Sequence, residues 1–205
     1  MAAFTTPVKT WGAEVLSIVD INTYLRDNLQ YLYDNRVTKI AESIAVGAVA
    51  NINFSSIPST YRNLYIVLQA RGDTAATNAQ LYVQFNGDTG NNYDSELIDG
   101  SGSAAWAGAE NVAFAQMVLG IISAANAPAS VAGQTRIDIA NYAAAVFQKT
   151  ALSRTGFKLA NSTTNVQTGL AAGFWRSGAV ITSILLKPSA GNFIAGTSAQ
   201  LYGEM

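Results

Sequence analysis

Five acids fall within one short stretch of this chain: Asp88, Asp94, Glu96, Asp99 and Glu110, all between Gly87 and Asn111. They are five of the eight acids after residue 42, so chemistry is sought there first. Two carboxylates about 5 to 9.5 Å apart, one with a raised pKa, can cleave a glycosidic bond. The spacing of Asp94 with Glu96, or of Glu96 with Asp99, is compatible with that separation. Raising a carboxyl pKa takes burial. The stretch GDTGNNYDSELIDGSGSAAWAGAEN, rich in Gly and Ser, offers little to bury it in. Asp88, Asn91, Asn92 and Asp94 are hard oxygen donors of the kind Ca²⁺ takes. The EF-hand spacing fails, because Gly90 stands at its third position and Asp99 replaces the Glu at its twelfth. Asn-Gly and Gly-Asn-Asn are also ordinary turn chemistry. No Lys-Ser or Lys-Thr pair follows Gly87 and Gly90, so they do not form a phosphate loop. The favoured reading is a solvated acidic loop with no catalytic residue, no metal and no cofactor.

The rest of the chain reinforces that reading. It has neither Cys nor His. Disulfide frameworks, zinc sites, Ser-His-Asp triads and Cys-His dyads are thereby excluded. The net charge is −1, so no global basic field draws nucleic acid. Apolar runs stop well short of the ~18 residues that a membrane helix needs, and no membrane insertion is expected. The opening MAAFTTPVKTW carries one Lys and no apolar run of signal-peptide length. Hydrophobic residues make up 49% and charged residues 12%, against a usual charged share of about 25%. A free-standing monomer needs more charge than that to stay soluble. An area hidden in an oligomer or assembly resolves the conflict.

The elements that position these residues divide near residue 40. At 205 residues the prior is one domain, or one with an appendage. Residues 1–40 read as an arm and a helix for attachment and oligomerisation, and residues 41–205 as a β domain. Nine of the 25 charged residues fall in the first 42 positions. Pro7 keeps the arm extended. Asp20 is a helix N-cap, and the run from Ile21 to Val37 has no Gly or Pro. Ile18, Ile21, Leu25, Leu29 and Leu32 form an apolar stripe at three- and four-residue steps. In heptads, Ile18, Leu25 and Leu32 make one core row; Ile21, Asn28 and Asn35 make the other. A polar core Asn fixes register and strand number. The stripe packs either on its own domain or in a short bundle around an oligomer axis. The narrow stripe and low charge favour the bundle, with Ile18, Ile21, Leu25, Asn28 and Leu32 as its oligomerisation residues.

Beyond residue 40 the period changes to two. Ile52, Phe54 and Ile57, then Leu64, Ile66 and Leu68, then Leu81, Val83 and Phe85 alternate with other residues. Further runs are Val112–Ile122, Thr135–Tyr142, Thr150–Leu159, Leu170–Trp175, Val180–Lys187 and Ser198–Tyr202. With two shorter candidates near residues 40 to 50, this predicts nine or ten strands and no alternating helices. The expected fold is mainly β, a jelly-roll-type antiparallel β-sandwich preceded by the arm and helix. The connection from Gly87 to Asn111 is too long for an ordinary loop. It carries Tyr93 and Trp106, flat aromatic faces suited to an external ligand or a neighbouring subunit. Trp175 reads as core. Trp11, flanked by Val8 and Val15 in an arm without a local core, reads as an attachment anchor in a partner's groove.

Three stretches resemble a known family. TWGAEVLSIVDINTYLRDNLQYLYD (residues 10–34) resembles N-terminal segments of small virion proteins of tailed bacteriophages, through Asn22, Arg26, Asp27 and Asn28. LYVQFNGDTGNNYDS (81–95) resembles a strand-and-turn signature of phage head and tail surface proteins with a jelly-roll fold. SILLKPSAGNFIAGTSAQLYGEM (183–205) is similar to their closing strand, Gly-rich turn and Leu-Tyr-Gly strand. The resemblance implies a non-enzymatic structural component of a virion, commonly a homotrimer. It would be a head fibre, capsid decoration or tail-associated appendage, docked on other virion proteins through its N-terminal segment. The expected location is the virion surface, after assembly in the host cytoplasm. The alternative from another class is a tail tip protein that binds a host receptor or surface glycan. A carbohydrate-cleaving depolymerase is the third.

Overall fold

The computed structural model describes residue 19 and residues 25–34, 37–102, 104–106, 110–159 and 166–205, with positions 33, 34 and 104–106 described by backbone alone. Among the described residues, the helix α1 (Asp27–Asp34) precedes thirteen strands. These are β1 (Val37–Ile44), β2 (Ile52–Phe54), β3 (Asn63–Ala70), β4 (Asn78–Phe85), β5 (Tyr93–Ser101), β6 (Ala104–Trp106) and β7 (Asn111–Phe114). Then follow β8 (Met117–Ser123), β9 (Gly133–Ala140), β10 (Lys149–Lys158), β11 (Val166–Trp175), β12 (Ile184–Pro188) and β13 (Ser198–Glu204).

The strands form two antiparallel sheets. The larger runs β1-β13-β3-β9-β10-β11-β5-β6, with β7 also on β5; the smaller runs β2-β12-β4-β8. The chain passes back and forth between the two sheets, which makes the β domain a jelly-roll-type sandwich, as its strand pattern predicts. Period-two alternation is the cause. Leu64, Ile66 and Leu68 of β3, Leu81, Val83 and Phe85 of β4, and Ile52 and Phe54 of β2 are all buried between the sheets. Ile137 and Ile139 of β9, Ile184 and Leu186 of β12 and Leu201 of β13 complete that layer. At about 25 cal/mol per Å², each such side chain contributes roughly 1.5–3 kcal/mol.

Glycines appear where backbone geometry or contact demands them. On β8, Leu119 and Gly120 together oppose the single residue Leu81, a bulge, and Gly120 has φ +137° there. At Gly203, in the closing Leu-Tyr-Gly, the Tyr61 ring lies where a Cβ would go.

Three expectations need correction. The stretch from Gly87 to Asn111 is not one long loop, since it contains β5 and β6 and leads directly into β7. Tyr93, Ser95 and Leu97 alternate inward with Asp94, Glu96 and Ile98 outward, a strand period that the Gly- and Ser-rich composition obscured. The run from Val112 to Ile122 is two strands, β7 and β8. The helix does not reach Val37, because that residue opens β1 and pairs with Glu204. The large sheet therefore takes in residues 37 to 40 as well. Among the described residues no helix is long and apolar enough to cross a membrane.

Candidate functional site on the outer face of the large sheet

The acidic stretch is closed from within. Asn86 adopts φ 53° and Gly87 φ 66°, turning the chain out of β4. The Asn86 amide then donates to the Val180 carbonyl at 2.7 Å and accepts from the Thr182 and Ser183 N–H groups. The Asp88 carboxylate accepts from the Trp175 indole N–H at 2.7 Å, from the Gly90 N–H at 2.8 Å and from Asn92. The Trp175 hydrogen bond, ahead of the others, holds its pKa below the usual carboxylate range. Trp175 is 3% exposed and stacks on Tyr93 at 6.4 Å. It is the core residue its sequence context predicts.

Tyr93 is a correction. It is not an exposed interaction residue but is fully buried. Its hydroxyl accepts from the Phe85 N–H at 3.0 Å and lies 3.2 and 3.1 Å from the Phe85 and Asp88 carbonyls, to which it donates. Desolvation, the largest cause, pushes its pKa up to about 12. The phenol serves as a lock on the Asp88 turn. Trp106 lies on β6, where Asp99 pairs with it in register; its side chain lies outside the described residues.

Two further acids, Asp94 and Asp99, have partners of their own. Asp94 receives Nε and Nη2 of Arg176 at 2.7 and 2.6 Å and the Ala113 N–H at 2.9 Å. Arg176, followed by Ala113, keeps that carboxyl below its ordinary pKa. Asp99 accepts from the Gln167 amide. Among the described residues no three His, Cys, Asp or Glu side chains converge as metal ligands. Two cations, half-buried Arg71 and buried Lys149, are likewise occupied. Arg71 donates to the Pro128, Val131, Ala127 and Ala125 carbonyls at 2.6 to 3.1 Å. Lys149, 2% exposed, donates to the carbonyls of Ala144, Phe147 and Gly178, and burial lowers its pKa.

What remains for function is the outer face of the large sheet. Strand register arranges it in rows. One row runs Glu96, Ala172, Leu152, Asp138, Tyr65, Tyr202, Lys39 across β5, β11, β10, β9, β3, β13 and β1. The next runs Ile98, Leu170, Arg154, Arg136, Val67, Gln200, Glu42. The β1-β13-β3-β9 half pairs with itself. Tyr65 stacks on Tyr202 at 4.8 Å, and the Arg136 guanidinium lies 4.0 Å over Tyr65 and 2.8 Å from Asp138. Lys39 meets Glu42 at 2.7 Å, and Glu42 and Tyr202 both meet Gln200.

The β10-β11-β5 half is different. Leu152 and Leu170 are each 57% exposed, Ile98 48% and Phe174 44%. Leu152, Leu170 and Ile98 line, with Ala172, a shallow apolar depression beside Glu96. Contiguous apolar surface of this kind marks an interaction site. Composition pointed only to a hidden area, not to its place. The one local signal was the small-large alternation of Gly169, Leu170, Ala171, Ala172, Gly173 and Phe174.

Of the residues assigned to oligomerisation, Leu25 and Leu32 are 54% and 63% exposed, as is Leu29 at 65%, and Asn28 is half-buried. Leu25, Leu29 and Leu32 share one side of the helical turn at three- and four-residue steps. Ile18 and Ile21, and the attachment residues Val8 and Trp11, lie outside the described residues. Comparison with known protein families, with curated proteins and with solved structures finds no match.

Proposed function

We propose that the chain is a non-enzymatic structural component of a bacteriophage virion. It is a trimeric surface appendage, head fibre, decoration or tail-associated, docked through its N-terminal arm. The observation that carries the reading is the bare apolar side of the helical segment: Leu25, Leu29 and Leu32 are all more than half exposed in the single chain. That leaves the stripe available to other helices around an axis, the arrangement that the three family-like stretches imply. The acids support a non-catalytic role. A glycosidase needs one carboxyl protonated at working pH, and Asp94 of the Asp94–Glu96 pair is held the other way by hydrogen-bond donors.

The test is incorporation. Trp11→Ala should leave the β domain folded and lower loading onto particles, and removal of residues 1–17 should abolish loading while thermal melting barely moves. Normal loading of the truncated chain would refute attachment through the arm. Sugar release from host envelope, lost in Glu96→Gln, would refute the non-enzymatic reading. Specific binding of host surface glycan by the folded chain would favour the receptor-binding tail tip alternative.

A further inference from the structure

The apolar depression on the outer face is flanked by two charges that the chain itself leaves unmatched, with a third, Lys158, at the far end of β10. On the β5 flank stands Glu96; on the β10 flank stands Arg154. They stand in neighbouring rows, two strands apart across β11 and two residues apart along the strand, so spacings of about 4.8 Å between strands and 3.4 Å per residue put them roughly 12 Å apart. Neither side chain forms an ion pair with another described residue. Arg154 moreover stands directly opposite Arg136 on β9. Like charges facing across strands are destabilising, and Asp138 is already engaged by Arg136 at 2.8 Å. Arg154 thus occupies an unfavourable place in the isolated chain, beside exposed Leu152 and Leu170. The strip is apolar along its middle, negative on one flank and positive on the other.

Such a surface is complementary to itself when each negative flank meets a positive one. Three sheet faces turned toward a common axis, with strands running along it, satisfy that condition. β11 then faces the axis, and the β5 flank of each copy meets the β10 flank of the next. The contact is heterologous and closes after three steps. We infer that the outer face of β5, β11 and β10 is the contact between copies of this chain, with Leu170 and Phe174 toward a three-fold axis and Glu96 of each copy against Arg154 of the next. The inference rests on the trimeric reading above and adds to it the surface that the β domain uses. Association relieves the Arg154–Arg136 opposition, removes Leu152, Leu170, Ile98 and Phe174 from water, and gives both flanking charges a partner.

Light scattering and sedimentation of the full chain test it. The wild type should weigh three times 21.6 kDa. Leu170→Glu, on an exposed position, should give monomers with an unchanged circular dichroism spectrum. Glu96→Arg and Arg154→Glu should each raise the midpoint concentration for dissociation by at least about tenfold, and the double exchange should recover most of it. A monomeric wild type would overturn the trimeric reading and this inference together. A trimer indifferent to Leu170→Glu would overturn this inference alone, leaving the helices as the contact. A dimer would overturn the three-fold arrangement, and a double exchange no better than either single would overturn the charge pairing.

Discussion

Two halves of one sheet solve the same problem in opposite ways. In β3, β9 and β13 the large apolar residues point inward: Leu64, Ile66, Leu68, Ile137, Ile139 and Leu201. Their outward neighbours are Tyr65, Tyr202, Arg136, Asp138 and Gln200, which pair among themselves. In β10 and β11 the pattern inverts. Ala151, Ser153, Thr155, Ala171 and Gly173 point inward, while Leu152, Leu170 and Phe174 point outward. Between the large inward residues Phe157 and Trp175 at the two ends of the pair, the inward positions are small because β8 fills the space: a Cβ on Gly173 would lie 2.7 Å from Met117 Sδ and 2.8 Å from Leu119 Cδ2. Burial of bulk has been moved from the inside of this half to its outside. A face finished within the chain needs no partner; a face finished only by exposure of leucines does.

A charge placed on each half separates the two most strongly. Leu170→Glu should shift the dissociation midpoint by at least about a hundredfold, because a carboxylate would have to be desolvated at the contact. Val67→Glu, on the self-paired half, should leave the assembly within about threefold of wild type. The opposite ranking would show that the polar half is the interface.

The second test concerns the inner side beneath the apolar half. The folded Tyr93 phenol keeps its proton up to about pH 12, whereas an exposed tyrosine releases it near 10. Its contribution is therefore intact below pH 10 and disappears as the pH rises toward 12. Chemical denaturation across that window should record a loss of about 2 to 3 kcal/mol. Tyr93→Phe should remove that pH dependence. An unchanged slope in the variant would mean the phenol is not the sensing group.

A smaller effect sharpens the picture of the self-paired half. Tyr202→Ala removes the Tyr65 stack and should lower stability by about 1 kcal/mol, with oligomeric mass unchanged. A loss of trimers there would assign the aromatic stack to the contact.

The smallest effect is at the rim. Asp94, held low by Arg176, contributes stability that is present above the ordinary carboxylate pKa and lost as pH falls through its own. Asp94→Asn should flatten the acid limb of a melting profile and cost at most about 3 °C near neutrality, since both side chains are about a third exposed. A drop beyond 10 °C would show that the pair holds β5 in place.

Much was legible from the residues alone, and for local reasons. Leu64, Ile66 and Leu68 with Leu81, Val83 and Phe85 announce half-buried strands, because successive side chains of a strand face opposite ways. The Leu25–Leu29–Leu32 spacing announces one side of a helix. The absence of His and Cys removes whole classes of chemistry before any fold is known. Less legible was the Gly87–Asn111 stretch. Its main strand and its turn are held by partners far along the chain, β5 by β11 and the Asp88 turn by Trp175, and β6 and β7 then pair on β5.

The sequence alone announces that β10 and β11 alternate and that a chain with 12% charged residues has surface to hide, while it leaves β5 reading as a loop. It did not determine which side of the alternation would be inside. Leu170 and Phe174 have the hydrophobicity of core residues, and a shift of one residue would have put them there. Only the tertiary structure decided otherwise. Trp175 is drawn inward to Asp88 and Tyr93, and two-residue periodicity then carries Gly173, Ala171 and Gly169 inward with it. β8, with Met117 and Leu119, already occupies the room that leucines would have needed.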